Sequence, residues 1–251
     1  MANKARKPAG YIIYEGPSEI DGAPIAVIVT GVHSKSSNAK TGAMVQTFII
    51  RTDMHPVEAV RTGADASICG QCMHRPILAK LTGEPPCYVD TGRSVAAVFR
   101  AYLRGSYVRA SALEVALLII ARMVRFGTYG DPLAAPLHIW RALITYARGH
   151  TGYTHQWLDA SPRARKLFMA SVDSPEEQRL AHARGWRTFR VATEPTRSPI
   201  EISCPASAEA GKRTQCADCR LCSGAHPTAR SIVILDHAPG HKRRVINIAA
   251  N

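Results

Sequence analysis

Residues 123–155, MVRFGTYGDPLAAPLHIWRALITYARGHTGYTH, carry the reading that decides the fold. Met123 to Thr128 is a short apolar run that gives way to the turn Tyr129-Gly130-Asp131-Pro132. Leu137, Trp140, Leu143 and Ile144 then recur at helical spacing over 137–147, with Gly149 as terminator, and His150 to His155 reads as the next strand. A strand, a helix and a strand in this order imply parallel strands joined by a crossover helix.

The pattern extends in both directions. Upstream, PIAVIVTG (24–31) and MVQTFIIR (44–51) read as strands. SVAAVFRAYL (94–103) places Val95, Val98, Phe99, Tyr102 and Leu103 on one helical face, with Ser94 as N-cap, and residues 111–121 are too apolar for an exposed helix. Downstream, LFMASVD (167–173) is a strand, and Ser174-Pro175-Glu176-Glu177 opens a helix that stops at Gly185. WRTFRVAT, IEISC and SIVILDH supply three more strands. The expected architecture is α/β, a partial TIM-like parallel β/α barrel forming one domain over 11–251, preceded by a basic arm at 1–10.

Polar residues gather where these strands end: Asp131, Tyr153, Thr154, His155, Asp173, Cys204, Asp236 and His237. In a parallel barrel that is the face on which active sites are built. Asp131, Tyr153, His155 and Asp173 are the expected catalytic residues.

The cysteines fall into two groups. Within 203–224, SCPASAEAGKRTQCADCRLCSG sets Cys204, Cys216, Cys219 and Cys222 in a C-x11-C-x2-C-x2-C array, the ligand set of a tetrahedral zinc site or a cubane iron–sulfur cluster. The loop at 65–92 holds a CxxC pair, Cys69 and Cys72, with Cys87 as a third thiol and His74 two residues beyond Cys72. Three thiols plus His74 would close a zinc site, whereas three thiols alone leave an open position on a metal or cluster. Thiols three residues apart on polar loops do not suit disulfides, least of all in a reducing compartment.

Composition narrows the setting. The 251-residue chain is 46% hydrophobic, has no apolar run of the ~18 residues needed to span a bilayer, and begins MANKARKPAG without the apolar stretch of a signal peptide. A cytoplasmic location is expected, the host cytoplasm if the gene is carried by a phage. A net charge of +13 points to an anionic partner, nucleic acid first, with DNA ahead of RNA, and an acidic lipid surface second; with no apolar span, no membrane partner is expected. The loop HSKSSNAKTG (33–42), with its two lysines, reads as a surface loop or a phosphate-contacting one, without the Walker spacing.

Three cysteines after an early strand, followed by FGTYGDPLAAP on a strand–helix unit, resemble the radical S-adenosylmethionine enzymes. The resemblance implies a [4Fe–4S] cluster with one free iron on Cys69, Cys72 and Cys87, and S-adenosylmethionine held at the turn Tyr129, Gly130, Asp131 and Pro132. The spacing C-x2-C-x14-C departs from that family's compact C-x3-C-x2-C, and Tyr129 stands where glycine is usual. The pieces TYGD, YTHQW, SVD and CPAS through CRLC also resemble the uncharacterised phage family called gene product eighty-eight, over roughly residues 65–237. The C-terminal array resembles an auxiliary cluster domain.

Three functions follow as expectations. The first is a phage-type iron–sulfur enzyme that modifies a nucleic acid or nucleotide, with one or two [4Fe–4S] clusters. The second is a metal-braced barrel transglycosylase that exchanges guanine for a deazaguanine through Asp and His chemistry. The third is a zinc-stabilised nucleic-acid-binding protein without catalysis.

Overall fold

The computed structural model describes residues 7–36, 38–83, 87–226 and 228–236. Residues 1–6 of the expected basic arm and His237 lie outside the described residues. The chain begins with three strands, β1 (Gly10–Pro17), β2 (Pro24–Thr30) and β3 (Val45–Arg51). Three short helices follow, α1 (Pro56–Thr62), α2 (Ala66–Cys69) and α3 (Pro76–Thr82), then α4 (Ala96–Leu103), β4 (Val108–Arg109) and α5 (Ala112–Leu118). The parallel portion runs β5 (Met123–Tyr129), α6 (Leu137–Leu143), β6 (Gly149–Thr151), β7 (Tyr153–Thr154), β8 (Met169–Val172), α7 (Pro175–Ala183) and β9 (Thr188–Ala192). It closes with β10 (Glu201–Ser203), α8 (Cys216–Cys219) and β11 (Ser231–Leu235).

These strands form two sheets. One has six strands in the order β4-β1-β2-β3-β5-β6 and is mixed, because β2 runs antiparallel to both β1 and β3. The other has five strands in the order β10-β11-β9-β8-β7, all parallel. The fold is therefore mixed α/β with parallel-rich sheets. Gly152 separates β6 from β7 and passes the chain from one sheet to the other, its N–H donating to Cys222 O at 3.0 Å.

Burial explains the elements. In β2, Ile25 through Val29 are completely buried, as expected of a central strand covered on both faces. In β8, Ala170 and Val172 pack into the large apolar core while Ser171 faces the opposite side, the period of two that a strand imposes. Ser174 caps α7 by accepting from Glu177 N at 3.1 Å, and the Glu177 carboxylate accepts from Asp173 N at 2.7 Å.

Several local expectations change. β1 was not foreseen; its Tyr11, Ile12 and Ile13 are buried, and a register shift between Ile12 and Tyr14 breaks the alternation that would mark it. Residues 94–95 belong to a π-helical turn (Thr91–Val95) ahead of α4, and its cap is Asp90, not Ser94, through a bond from Gly92 N at 2.9 Å. The helix drawn to residue 147 ends at Leu143. In α5, Leu113, Leu117 and Leu118 are exposed although the segment is apolar.

Candidate functional site

The ends of β5, β7 and β8 carry the expected polar residues, and hydrogen bonds lock them to the first cysteine loop. Asp131 is buried, and both its oxygens are occupied: Oδ1 accepts from Leu133 N (2.9 Å) and Thr154 Oγ1 (2.8 Å), and Oδ2 from His155 N (2.7 Å) and Gln156 Nε2 (3.5 Å). Its own N–H donates to Ile68 O at 2.6 Å, and Gln156 Nε2 also reaches Cys69 O at 3.2 Å. Asp131 thus ties β5, β7 and the CxxC loop together, while burial pushes its carboxyl above the usual range despite those donors.

Two glycines permit the approach. Gly130 has φ +83° and packs directly on Ile49 of β3; Gly70, inside the CxxC loop, has φ +53° and leaves no room for a Cβ beside the Gln156 amide. Arg75 fixes the same loop from below, with Nη2 on Asp65 Oδ1 (2.9 Å) and on Gly63 O (2.6 Å). Cys87 joins it through its N–H on His74 O at 2.7 Å. Pro132 is buried and accepts from Trp140 Nε1 at 2.8 Å through its carbonyl, so it shapes the turn without lining the cavity.

His74, His155 and Asp173 form a chain beside Cys72. His74 Nε2 lies 2.9 Å from Asp173 Oδ1, and His155 Nε2, a buried nitrogen with no hydrogen bond within 3.5 Å, lies 3.6 Å from Asp173 Oδ2. Burial alone would lower His155, but Cys72 and Asp173 outweigh it and hold the imidazole well above its usual value. Burial raises Asp173 and Cys72, yet His155 and His74 leave both below their usual ranges. Among the described residues this trio is the set of three such side chains whose ligand atoms lie within 4.8 Å of one another.

The second cysteine group reaches across the molecule. Cys204 follows β10 and donates to Val233 O (2.9 Å); Cys216 and Ala217 donate to Lys40 O (2.9 Å) and Thr41 O (3.1 Å), just before β3. The segment thereby spans the two sheets. Burial pushes Cys222 up to about 12, with Cys204, Cys216 and Cys219 adding to the rise, and raises Cys69 well above its usual value, with Cys72 and Cys87 contributing. For both thiols burial is the main cause, and the neighbouring thiols add to it.

Both groups face one cavity of about 410 Å³. Its walls are the inward residues Arg125 and Gly127 of β5, Thr151, Tyr153, Ser171, Phe189 and Val191, and Ile232 and Ile234 of β11; all seven cysteines, Tyr129, Gly130, Asp131, His74 and His155 line it as well. A tetrahedral zinc with 2.3 Å bonds needs thiols about 3.8 Å apart, and among the described residues no three thiols come within 4.8 Å. Tyr129 Oη is buried without a hydrogen bond, and Cys69 and Cys87 help to raise its pKa, so an orphaned donor sits beside the first group. Among the described residues the thiols of neither group are drawn together as a preformed tetrahedral site.

The structure brings Asp131, Tyr153, His155 and the seven thiols to one space, and Asp173 behind His155. Arg125 and Tyr88, which the sequence did not single out, line the cavity too, as does Lys40 of the two-lysine loop; a lone arginine in the apolar run MVRFGTY was the available signal. Among the described residues, no helix is long and apolar enough to cross a membrane. No family model, no curated protein and no solved structure matches the chain.

Proposed function

We propose that the protein is an iron–sulfur enzyme of the radical S-adenosylmethionine-like kind, acting on a nucleic acid or nucleotide within a partial barrel formed by the two sheets. The observation that carries this reading is the convergence of all seven cysteines, as three plus four, on one cavity. Cys69, Cys72 and Cys87 hold one [4Fe–4S] cluster, and Cys204, Cys216, Cys219 and Cys222 hold a second. Held by its three thiolates, the first cluster would supply one electron when reduced.

The chain's own groups do the rest. Tyr129, Gly130, Asp131 and Pro132 form the cofactor-facing turn; because the Asp131 oxygens are already occupied by protein donors, that residue acts by holding the turn in place. Tyr153 and His155 face the reacting molecule, and Asp173 orients His155. The net charge of +13 and a surface hollow lined by Arg141, Arg163 and Lys166 support an anionic polymer as partner.

The test is iron, zinc and acid-labile sulfide analysis with a visible spectrum on protein purified without oxygen. About eight irons and eight sulfides per chain are expected for two cubanes, with reductive cleavage of added S-adenosylmethionine as a second readout. One or two zincs without sulfide would overturn the reading.

A further inference from the structure

Arg125 occupies β5 between Val124 and Phe126, both buried in the apolar core. Strand alternation turns its side chain to the other face, into the cavity. There Nη2 donates to Tyr88 Oη at 2.9 Å, and Tyr88 is itself 63% exposed. No carboxylate of the described residues lies within 4.0 Å of this guanidinium.

The buried arginines are treated differently. Arg75 has Asp65, Arg190 has Glu201, and Arg187 has the Gly224 and Arg230 carbonyls. A guanidinium offers five donors in a fork that matches an oxyanion. Arg125 spends one of them on a phenol. Lys40 and Arg220 line the same cavity. The nearest acid of the turn, Asp131, is consumed by its own donors.

We propose that Arg125, with Tyr88 beside it and Lys40 lining the same cavity, binds an oxyanion, a phosphate or a carboxylate, carried by the molecule that occupies the cavity. The site rests on the proposed function only in taking this cavity as the place of reaction; it needs no cluster. A nucleotide substrate would supply a phosphate, and an amino-acid-bearing cofactor a carboxylate.

The test is calorimetric titration of the purified protein with inorganic phosphate, acetate, adenosine monophosphate and adenosine. Wild type should bind phosphate or acetate, and which of the two competes better identifies the source. If phosphate is the source, adenosine monophosphate should bind at least tenfold more tightly than adenosine. Arg125→Gln should lose at least tenfold in affinity for the preferred anion, Arg125→Lys less, and Tyr88→Phe a few-fold. Wild type binding neither anion would overturn the proposal whether or not the variants fold. Unchanged affinity in Arg125→Gln would do so too, and if that variant does not fold, unchanged affinity in both Arg125→Lys and Tyr88→Phe takes its place. Unchanged anion binding together with loss of metal in Arg125→Gln would assign Arg125 to balancing the charge of Cys216 instead. Anion binding through Arg125 in a protein that carries zinc and no sulfide would sink the iron–sulfur reading and leave this one standing.

Discussion

The two sheets solve the problem of stability differently. The six-stranded sheet is built on a dry core, with Ile25, Ile28, Ile49 and Ile50 fully buried and backed by Val95, Phe99 and Trp140. The five-stranded sheet shares that core only through its outer face, in Ala170, Val172 and Phe168. On its inner face the apolar cluster is small, Met169, Cys204, Ala206, Cys222, Ile232 and Ile234, and two of its buried members are cysteines. One half is held by apolar burial; the other leaves its interior open as a cavity and, on the proposed function, would draw support from what its thiols bind.

The sharpest way to break that contrast is to remove a thiol from the weaker half. Cys222→Ala should lose the metal of the C-terminal group and speed amide exchange in β9 and β11 by more than tenfold, while β2 and β3 exchange at the wild-type rate. Metal content and hydrogen exchange on the same sample decide it. Equal loss in both sheets would mean the halves are not independent, and no loss would mean the inner face does not depend on metal held by these thiols.

The five-stranded sheet does hold one strong internal tie. Arg190 on β9 and Glu201 on β10 make two bonds of 2.9 Å, with Glu201 fully buried and Arg190 4% exposed. Burial works against the Glu201 charge, but Arg190 outweighs it and holds the carboxyl below its usual value. Glu201→Gln leaves Arg190 buried without its counter-charge and should cost about 3–5 kcal/mol in denaturant unfolding. Asp131→Asn, at the junction of the sheets, should cost less, about 1–3 kcal/mol, since an amide nitrogen must face donors that now meet an oxygen. It should also abolish turnover with metal content intact, because the turn it fixes faces the cavity.

How much of this was legible in the sequence follows the same division. The strands β5, β8, β9, β10 and β11 and the Ser174 cap could be read because a local signal, an apolar run or a capping residue, matches a local cause. β1 escaped because its bulge breaks the alternation, and the break at Gly152 escaped because the strand run HTGYTH looks continuous while its two ends pair in different sheets. Each cysteine group was visible from its spacing. That both groups face one cavity was not, since Cys72 and Cys222 are joined only through the path of two sheets. Arg125 looked like an interruption of a strand, and only the identity of its neighbours in space makes it a site residue.

The smallest effect expected concerns the trio behind Cys72, and pH reads it. Asp173 is held below its usual range, so its contribution is present above about pH 4, the free carboxyl range, and is lost as pH falls below it. His155 is held above its usual value, so its contribution is complete below about pH 6.5 and is lost as pH rises through its raised value. The stability difference between wild type and Asp173→Asn should therefore climb on the acid side, level off between those limits and decline on the alkaline side. Denaturant unfolding of both proteins across pH 3–9 measures it. A difference that stays flat through the whole range would show that His74, Asp173 and His155 contribute no charge pairing to the fold, and would leave their alignment beside Cys72 to be explained by the site alone.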